Sequence, residues 1–130
     1  IDLAEHREWV EGVCARVGIE ARLPLWNTAR EVLLEELLSK GFKAVVVSVK
    51  DGILGKRWLG RTLDKNMIDL FRSSGIDPSG EAGEYHTCVV NGPMFSEPVN
   101  LIPGETALKD GYWFLNLFVA EAGLAGKSPV

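Results

Sequence analysis

The chain has 130 residues, 46% hydrophobic and 25% charged, with a net charge of −4. That suits one ordinary domain, or a piece of a larger one, and excludes disorder as a whole-chain description. No apolar run approaches the roughly 20 residues that cross a bilayer, and 14 basic residues against 18 acidic ones argue against a nucleic-acid surface, which needs clustered Lys and Arg.

Asp2 and Glu5 have the spacing of a helix-capping pair. Trp9, Val10, Val13, Cys14 and Val17 then recur at helical spacing up to a stop at Gly18, which assigns Trp9 and Cys14 to a core. Residues 19–25 read as extended, with Pro24 keeping them out of a helix interior. Thr28 to Glu31 is a capping box that opens a second helix carrying Val32, Leu33, Leu34, Leu37 and Leu38, closed by Gly41. Phe42 to Val49 is a nearly continuous β-prone run, the kind covered on both faces in a parallel sheet. Helix, strand, helix, strand is the alternation of an α/β protein.

The pattern changes near residue 50, the best internal seam. Residues 51–63 hold three glycines and read mostly as loop. Asp64 caps a short helix with Met67, Ile68, Leu70 and Phe71, ending near Gly75. Residues 75–84 are irregular, Tyr85 to Val90 is a strand, and Asn91-Gly92-Pro93 stops it. Val99 to Ile102 reads as a short strand limited by Pro103, and the turn Lys109-Asp110-Gly111 leads into a strand over Tyr112–Val119. Residues 123–130 are expected to fray. Cys14 and Cys88 read as buried free thiols, because a disulfide scaffold needs more Cys in a shorter chain. The first residues lack a basic start and an apolar stretch, so a reducing cytoplasm fits best. The chain opens without Met at a helix cap, which leads us to expect an upstream segment.

The most unusual segment is Gly80-Glu81-Ala82-Gly83-Glu84-Tyr85-His86-Thr87. Two carboxylates three residues apart are flanked by glycines, and a strand begins at once. Such a loop suits ammonium or amine binding, metal binding or general base work, with a polar surface turn as the alternative. Strand alternation would put Glu84 and His86 on one face. A lone His at a strand start is more often simply hydrogen-bonded. Leu59-Gly60-Arg61, preceded by Lys56 and Arg57, is locally cationic, and Arg61 can grip a carboxylate or phosphate with two parallel donors. Trp26, after Pro24-Leu25, is placed to flank a crevice or to pack in a core. No phosphate loop ending in Lys-Ser/Thr, no G-x-G-x-x-G, no zinc-spaced Cys/His set and no G-x-S-x-G elbow occurs.

Gly75-Ile76-Asp77-Pro78-Ser79-Gly80-Glu81-Ala82-Gly83-Glu84-Tyr85-His86-Thr87, followed by Asn91-Gly92-Pro93-Met94-Phe95, resembles the C-terminal signature of the diphthine–ammonia ligase family, N-type ATP pyrophosphatases of the PP-loop group. His6 to Val10, Pro24-Leu25-Trp26, Gly41 to Val46 and Leu59-Gly60-Arg61 resemble the same family, so the likeness covers roughly residues 1–122. That family's Ser-Gly-Gly-Lys-Asp-Ser nucleotide loop does not occur in the chain, and Asn91 and Ala82 depart from its usual residues.

The resemblance implies an α/β fold: residues 1–26 as the last helix-strand unit of a PP-loop, Rossmann-like nucleotide-binding domain, and residues 27–130 as an α+β substrate-side domain. It implies a cytoplasmic ligase that uses ATP and Mg2+ to adenylate a carboxylate, which ammonia then attacks to give an amide. The substrate would be diphthine, the modified histidine of translation elongation factor 2, or another carboxylate. Glu81 or Glu84 would capture ammonium and take its proton. Gly80, Gly83, Tyr85, His86, Thr87, Gly60 and Arg61 would bind substrate, and Trp26 would lie on the nucleotide side. No metal ligand is assigned. The alternative is a non-catalytic ligand- or partner-binding domain lacking the nucleotide half. The apolar surface of the first helix and of the 42–49 strand leads us to expect an oligomer or an intramolecular partner.

Overall fold

A computed structural model describes residues 2–120; the expected fraying of 123–130 lies outside them. The chain divides into two compact units, residues 1–36 and 37–130, and passes from one to the other within its second helix.

The first unit contains helix α1 (Ala4–Arg16) and the start of α2 (Arg30–Ser39). Asp2 does not cap α1. The N-cap is Leu3, with no side-chain bond, and Asp2 instead accepts a two-pronged bond from Arg30, at 2.8 and 2.6 Å. This Arg30 bond holds the Asp2 carboxyl below its ordinary value. A planar guanidinium matches a carboxylate better than isolated backbone N–H groups do. Residues 19–23 form no strand, and residues 24–27 turn. Among the described residues nothing pairs with this stretch, and an extended segment without a ladder partner is not a strand. The core expected on α1 is absent as well. No α1 residue is buried, Trp9 is 69% exposed, and Cys14 is half-buried.

The second unit is α+β, built on a four-stranded antiparallel sheet in the order β2-β1-β4-β3. Its strands are β1 (Lys43–Lys50), β2 (Tyr85–Asn91), β3 (Leu101–Lys109) and β4 (Tyr112–Val119). The parallel sheet expected from the β1 run is therefore corrected. Val-rich strands read alike in either kind of sheet, and β1 is apolar because it is central.

One face of the sheet is covered by helix α3 (Lys65–Ser73) and by residues 51–63, which include a 3-10 turn at Lys56–Trp58. Asp64 caps α3 as expected, its carboxylate accepting from the Met67 N–H at 2.8 Å. Met67, Ile68 and Phe71 are buried at helical spacing. Phe71 meets Trp58 edge-on, centroids 5.0 Å apart, and Tyr85 at 5.5 Å. Val46, Val49, Ala44, Leu54 and Leu63 complete this core.

Residues 51–63 are more than a loop. Arg61 and Gly60 exchange backbone bonds with Val46, each 2.8 Å, and the Leu63 N–H donates to Ala44 at 2.7 Å. This segment takes the first half of the β1 edge opposite β2, and β4 pairs with the second half, at Ser48, Val49 and Lys50. Val46 lies opposite Thr87 and Ser48 opposite His86, leaving Val47 as an extra residue.

Strand β3 passes through Pro103 instead of stopping there. A proline removes one donor, which an edge strand tolerates, and the pairing is irregular between Pro103 and Thr106. Cys88 is exposed, not buried, as are all of residues 86–89 on the edge strand β2. Among the described residues no helix is long and apolar enough to cross a membrane.

Candidate functional site

The segment from Asp77 to Glu84 is ordered by its own side chains. The Asp77 carboxylate accepts from the Ser79 N–H at 2.9 Å and the Glu81 N–H at 3.3 Å, and the Asp77 carbonyl accepts from Gly80. This is the Asx turn that an Asp before Pro-Ser-Gly favours. A second turn follows, the Gly83 N–H donating to the Gly80 carbonyl at 2.9 Å. Both glycines have positive φ, +67° and +80°. A Cβ on Gly80 would lie 2.9 Å from the Tyr85 carbonyl, and one on Gly83 would lie 3.1 Å from the Tyr112 hydroxyl. Gly80 has no room for a side chain against that backbone oxygen, and at Gly83 the Tyr112 hydroxyl would have to give way, so positive φ favours glycine at both positions and space requires it at Gly80.

Tyr85 locks the segment from below: its hydroxyl donates to the Pro78 carbonyl. Burial, and then the charges of Asp77 and Glu84, push this phenol up to about 12, so it stays protonated and keeps donating. The Lys50 N–H donates to the Glu84 carbonyl at 2.8 Å, tying the loop to the end of β1.

The two carboxylates part company in this frame. Glu84 is 8% exposed, and its Oε2 is buried with no hydrogen-bond partner. The Ser79 hydroxyl is a second buried polar atom without a partner. Glu81 is exposed. The sequence has both acids at equal standing, but the Asx turn holds Glu81 at the surface while the approach to β2 carries Glu84 inward. Glu84 and His86 do not form the expected pair either. The strand begins only at Tyr85, after a left-handed glycine, and His86 is exposed beside Tyr112, ring centroids 6.4 Å apart. Thr87 is exposed.

Gly80, Gly83, Glu84 and Tyr85 are thus brought together. Gly60 and Arg61 belong elsewhere, on the segment paired with β1 across the strand from β2. Gly60 faces Leu115. Arg61 lies over Trp58 at 5.0 Å and lines an open hollow of about 410 Å3 with Thr62, Asn66 and Met67. Trp26 is in the first unit, beneath the Arg7 guanidinium at 5.4 Å, lining a hollow of about 260 Å3 with Leu23 and Pro24. Sequence reasoning missed Asp77 and Tyr112 as parts of the loop. The Asp-Pro-Ser-Gly run was a readable signal for the first; the second depends on sheet pairing. No three His, Cys, Asp or Glu side chains gather for a metal among the described residues.

Residues 29–119 match the family described as the diphthamide synthase C-terminal domain. The chain is 31% identical over 103 residues to the diphthine–ammonia ligase of Homo sapiens, covering 76% of the chain and 39% of that protein. It is likewise 31% identical over 103 residues to that of Schizosaccharomyces pombe, covering 77% and 17%, and 31% over 107 residues to that of Danio rerio, covering 79% and 42%. The matched region thus spans about two fifths of the length of the human and fish relatives, and less of the yeast one.

Proposed function

We propose, given that the chain belongs to the diphthamide synthase C-terminal domain family, that it forms the substrate side of a ligase joining ammonia to a carboxylate in diphthamide synthesis. In this reading the whole enzyme is ATP-dependent, adenylates its carboxylate substrate and works in the cytoplasm. Residues 27–130 are its substrate-side domain, and 1–26 the tail of the nucleotide-binding one. Elongation factor 2 is the proposed substrate protein.

The observation that carries the reading is the buried, partnerless Oε2 of Glu84 on a loop fixed by Asp77, Gly80, Gly83 and Tyr85. A desolvated carboxylate oxygen without a donor favours a ligand that brings N–H groups. Ammonium does so, and it must lose a proton before its nitrogen can attack a carbonyl carbon. Glu84 is the acceptor for that proton, held in place by a rigid backbone. Glu81, exposed at the rim, draws cations toward the loop, and Tyr85 positions Glu84 without touching the reacting atoms. The neighbouring His86 and Thr87 meet the substrate from the strand.

Among the described residues no side chains are assigned to hold ATP or Mg2+. The chain contains no Ser-Gly-Gly-Lys-Asp-Ser loop, and the described residues hold no cluster of metal-binding side chains.

Glu84→Gln in the enzyme that unites this chain with its nucleotide-binding half is expected to lower amide formation about 100-fold or more, with ATP binding retained. Undiminished product would remove Glu84 from the chemistry. Glu81→Gln is expected to cost less, and a larger loss there would exchange the two roles.

A further inference from the structure

We infer that the hollow between the 3-10 turn and the start of α3 is a binding site for a small molecule with an oxyanion head and an apolar body. Its volume, about 410 Å3, lies in the range of small-ligand sites. Its lining is divided. The indole of Trp58, itself buried, joins Met67 and Leu70 as the apolar wall, and Arg61, Thr62 and Asn66 stand at the rim.

The lining carries one guanidinium, Arg61, and one carboxylate, Asp64, and Arg57 also lies against the Trp58 ring. The guanidinium groups of Arg57 and Arg61 lie 5.7 and 5.0 Å from the centre of the Trp58 ring. Among the described residues neither has a carboxylate partner, although Arg7, Arg22, Arg30 and Arg72 all do. The single acid in the lining, Asp64, is engaged in capping α3 through the Met67 N–H. A guanidinium held over an indole keeps its N–H edge available, and that edge is shaped for two oxygens of a carboxylate or phosphate. The Asn66 amide adds a neutral donor. Of the apolar lining, Leu70 is about half exposed while Trp58 and Met67 are buried, and an inorganic ion would leave that Leu70 surface in water, so the ligand that fits carries apolar atoms behind its charge. Backbone bonds from Gly60, Arg61 and Leu63 to β1 hold the rim in place before any ligand arrives.

This site is separate from the Glu84 loop, and its test needs no amide formation, so its failure would leave the proposed ligase role untouched. The 130-residue chain, labelled with nitrogen-15, is titrated with benzoate, phenyl phosphate, inorganic phosphate and benzyl alcohol while amide spectra are recorded. Benzoate or phenyl phosphate is expected to shift the Trp58 indole and Asn66 side-chain signals and to saturate near ~1 mM, as suits an open site. Whichever of the two binds more tightly identifies the head group as carboxylate or phosphate ester. Inorganic phosphate and benzyl alcohol are each expected to bind at least about tenfold more weakly, having lost one half of the recognition. Arg61→Gln, at an exposed position, is expected to weaken the preferred acid about tenfold or more. If that variant is misfolded, Asn66→Ala replaces it, with a several-fold loss expected. The inference is overturned if neither acid produces saturable shifts at these two signals. Equal affinity for benzyl alcohol, or unchanged binding by the folded variant, also overturns it.

Discussion

The two units answer the same kind of sequence pattern differently. Residues 2–36 carry Trp9, Val17, Ile19 and Leu25 at 50% exposure or more, and α1 buries nothing. The unit from Leu37 onward buries Phe71, Val46 and Val49 almost completely. Both have helices with apolar residues at helical spacing, but among the described residues only the second has a sheet. A sheet offers a broad apolar face, and α3 with Trp58 can cover it with few side chains. What internal structure the first unit shows rests on bonds such as Arg30 to Asp2 and on Arg7 over Trp26. Periodicity therefore states a demand for a partner surface, and the demand is met only where topology supplies one.

The sharpest way to break this contrast is Phe71→Ala. Phe71 touches both Trp58 and Tyr85, and its loss is expected to destabilise the second unit by about 3–5 kcal/mol, read by denaturant unfolding. A cost below about 1 kcal/mol would mean that this core is not the stabilising element.

Tyr85→Phe tests the glycine loop with a smaller effect. It removes one hydrogen bond, to the Pro78 carbonyl, and is expected to cost about 1 kcal/mol at neutral pH. The pH dependence carries its own sign. The Tyr85 phenol titrates at about 12 in the folded chain against 10.0 when unperturbed, so the folded state holds the proton more tightly. The stability this confers is complete below pH 10 and is lost as pH rises toward 12. The parent chain should lose stability through that window, and the Phe variant should lose less. Identical alkaline profiles would show that Tyr85 is not the titrating group.

Trp9→Ala sits at the small end. With Trp9 69% exposed, the change is expected to stay within about 0.5 kcal/mol. A loss of several kcal/mol in the isolated chain would show that the first unit has a core after all.

Much of the candidate site was legible from residue chemistry. Gly80 and Gly83 flank two acids at a strand start, and the positive φ there does favour glycine. Asp64 capped its helix, and the Asp110-Gly111 turn joined β3 to β4, because such turns and caps are made by residues adjacent in the chain. The two glutamates could not be ranked, because burial depends on which way the loop enters the sheet. In the sequence Trp58 is one apolar residue among many; it is the fold that sets Arg57 and Arg61 over its ring.

By itself, the sequence determined where backbone geometry is set by near neighbours: the helix that starts at Asp64, the glycine turns and the strand starts. It also carried the family likeness, through the run from Gly75 to Thr87. Only the tertiary structure decided that β1 is central in an antiparallel sheet and that residues 60–63 share its edge. The same holds for the burial of Glu84 and the exposure of Glu81. These are pairings between distant segments, and their free energy comes from removing surfaces from water together, which no local pattern specifies.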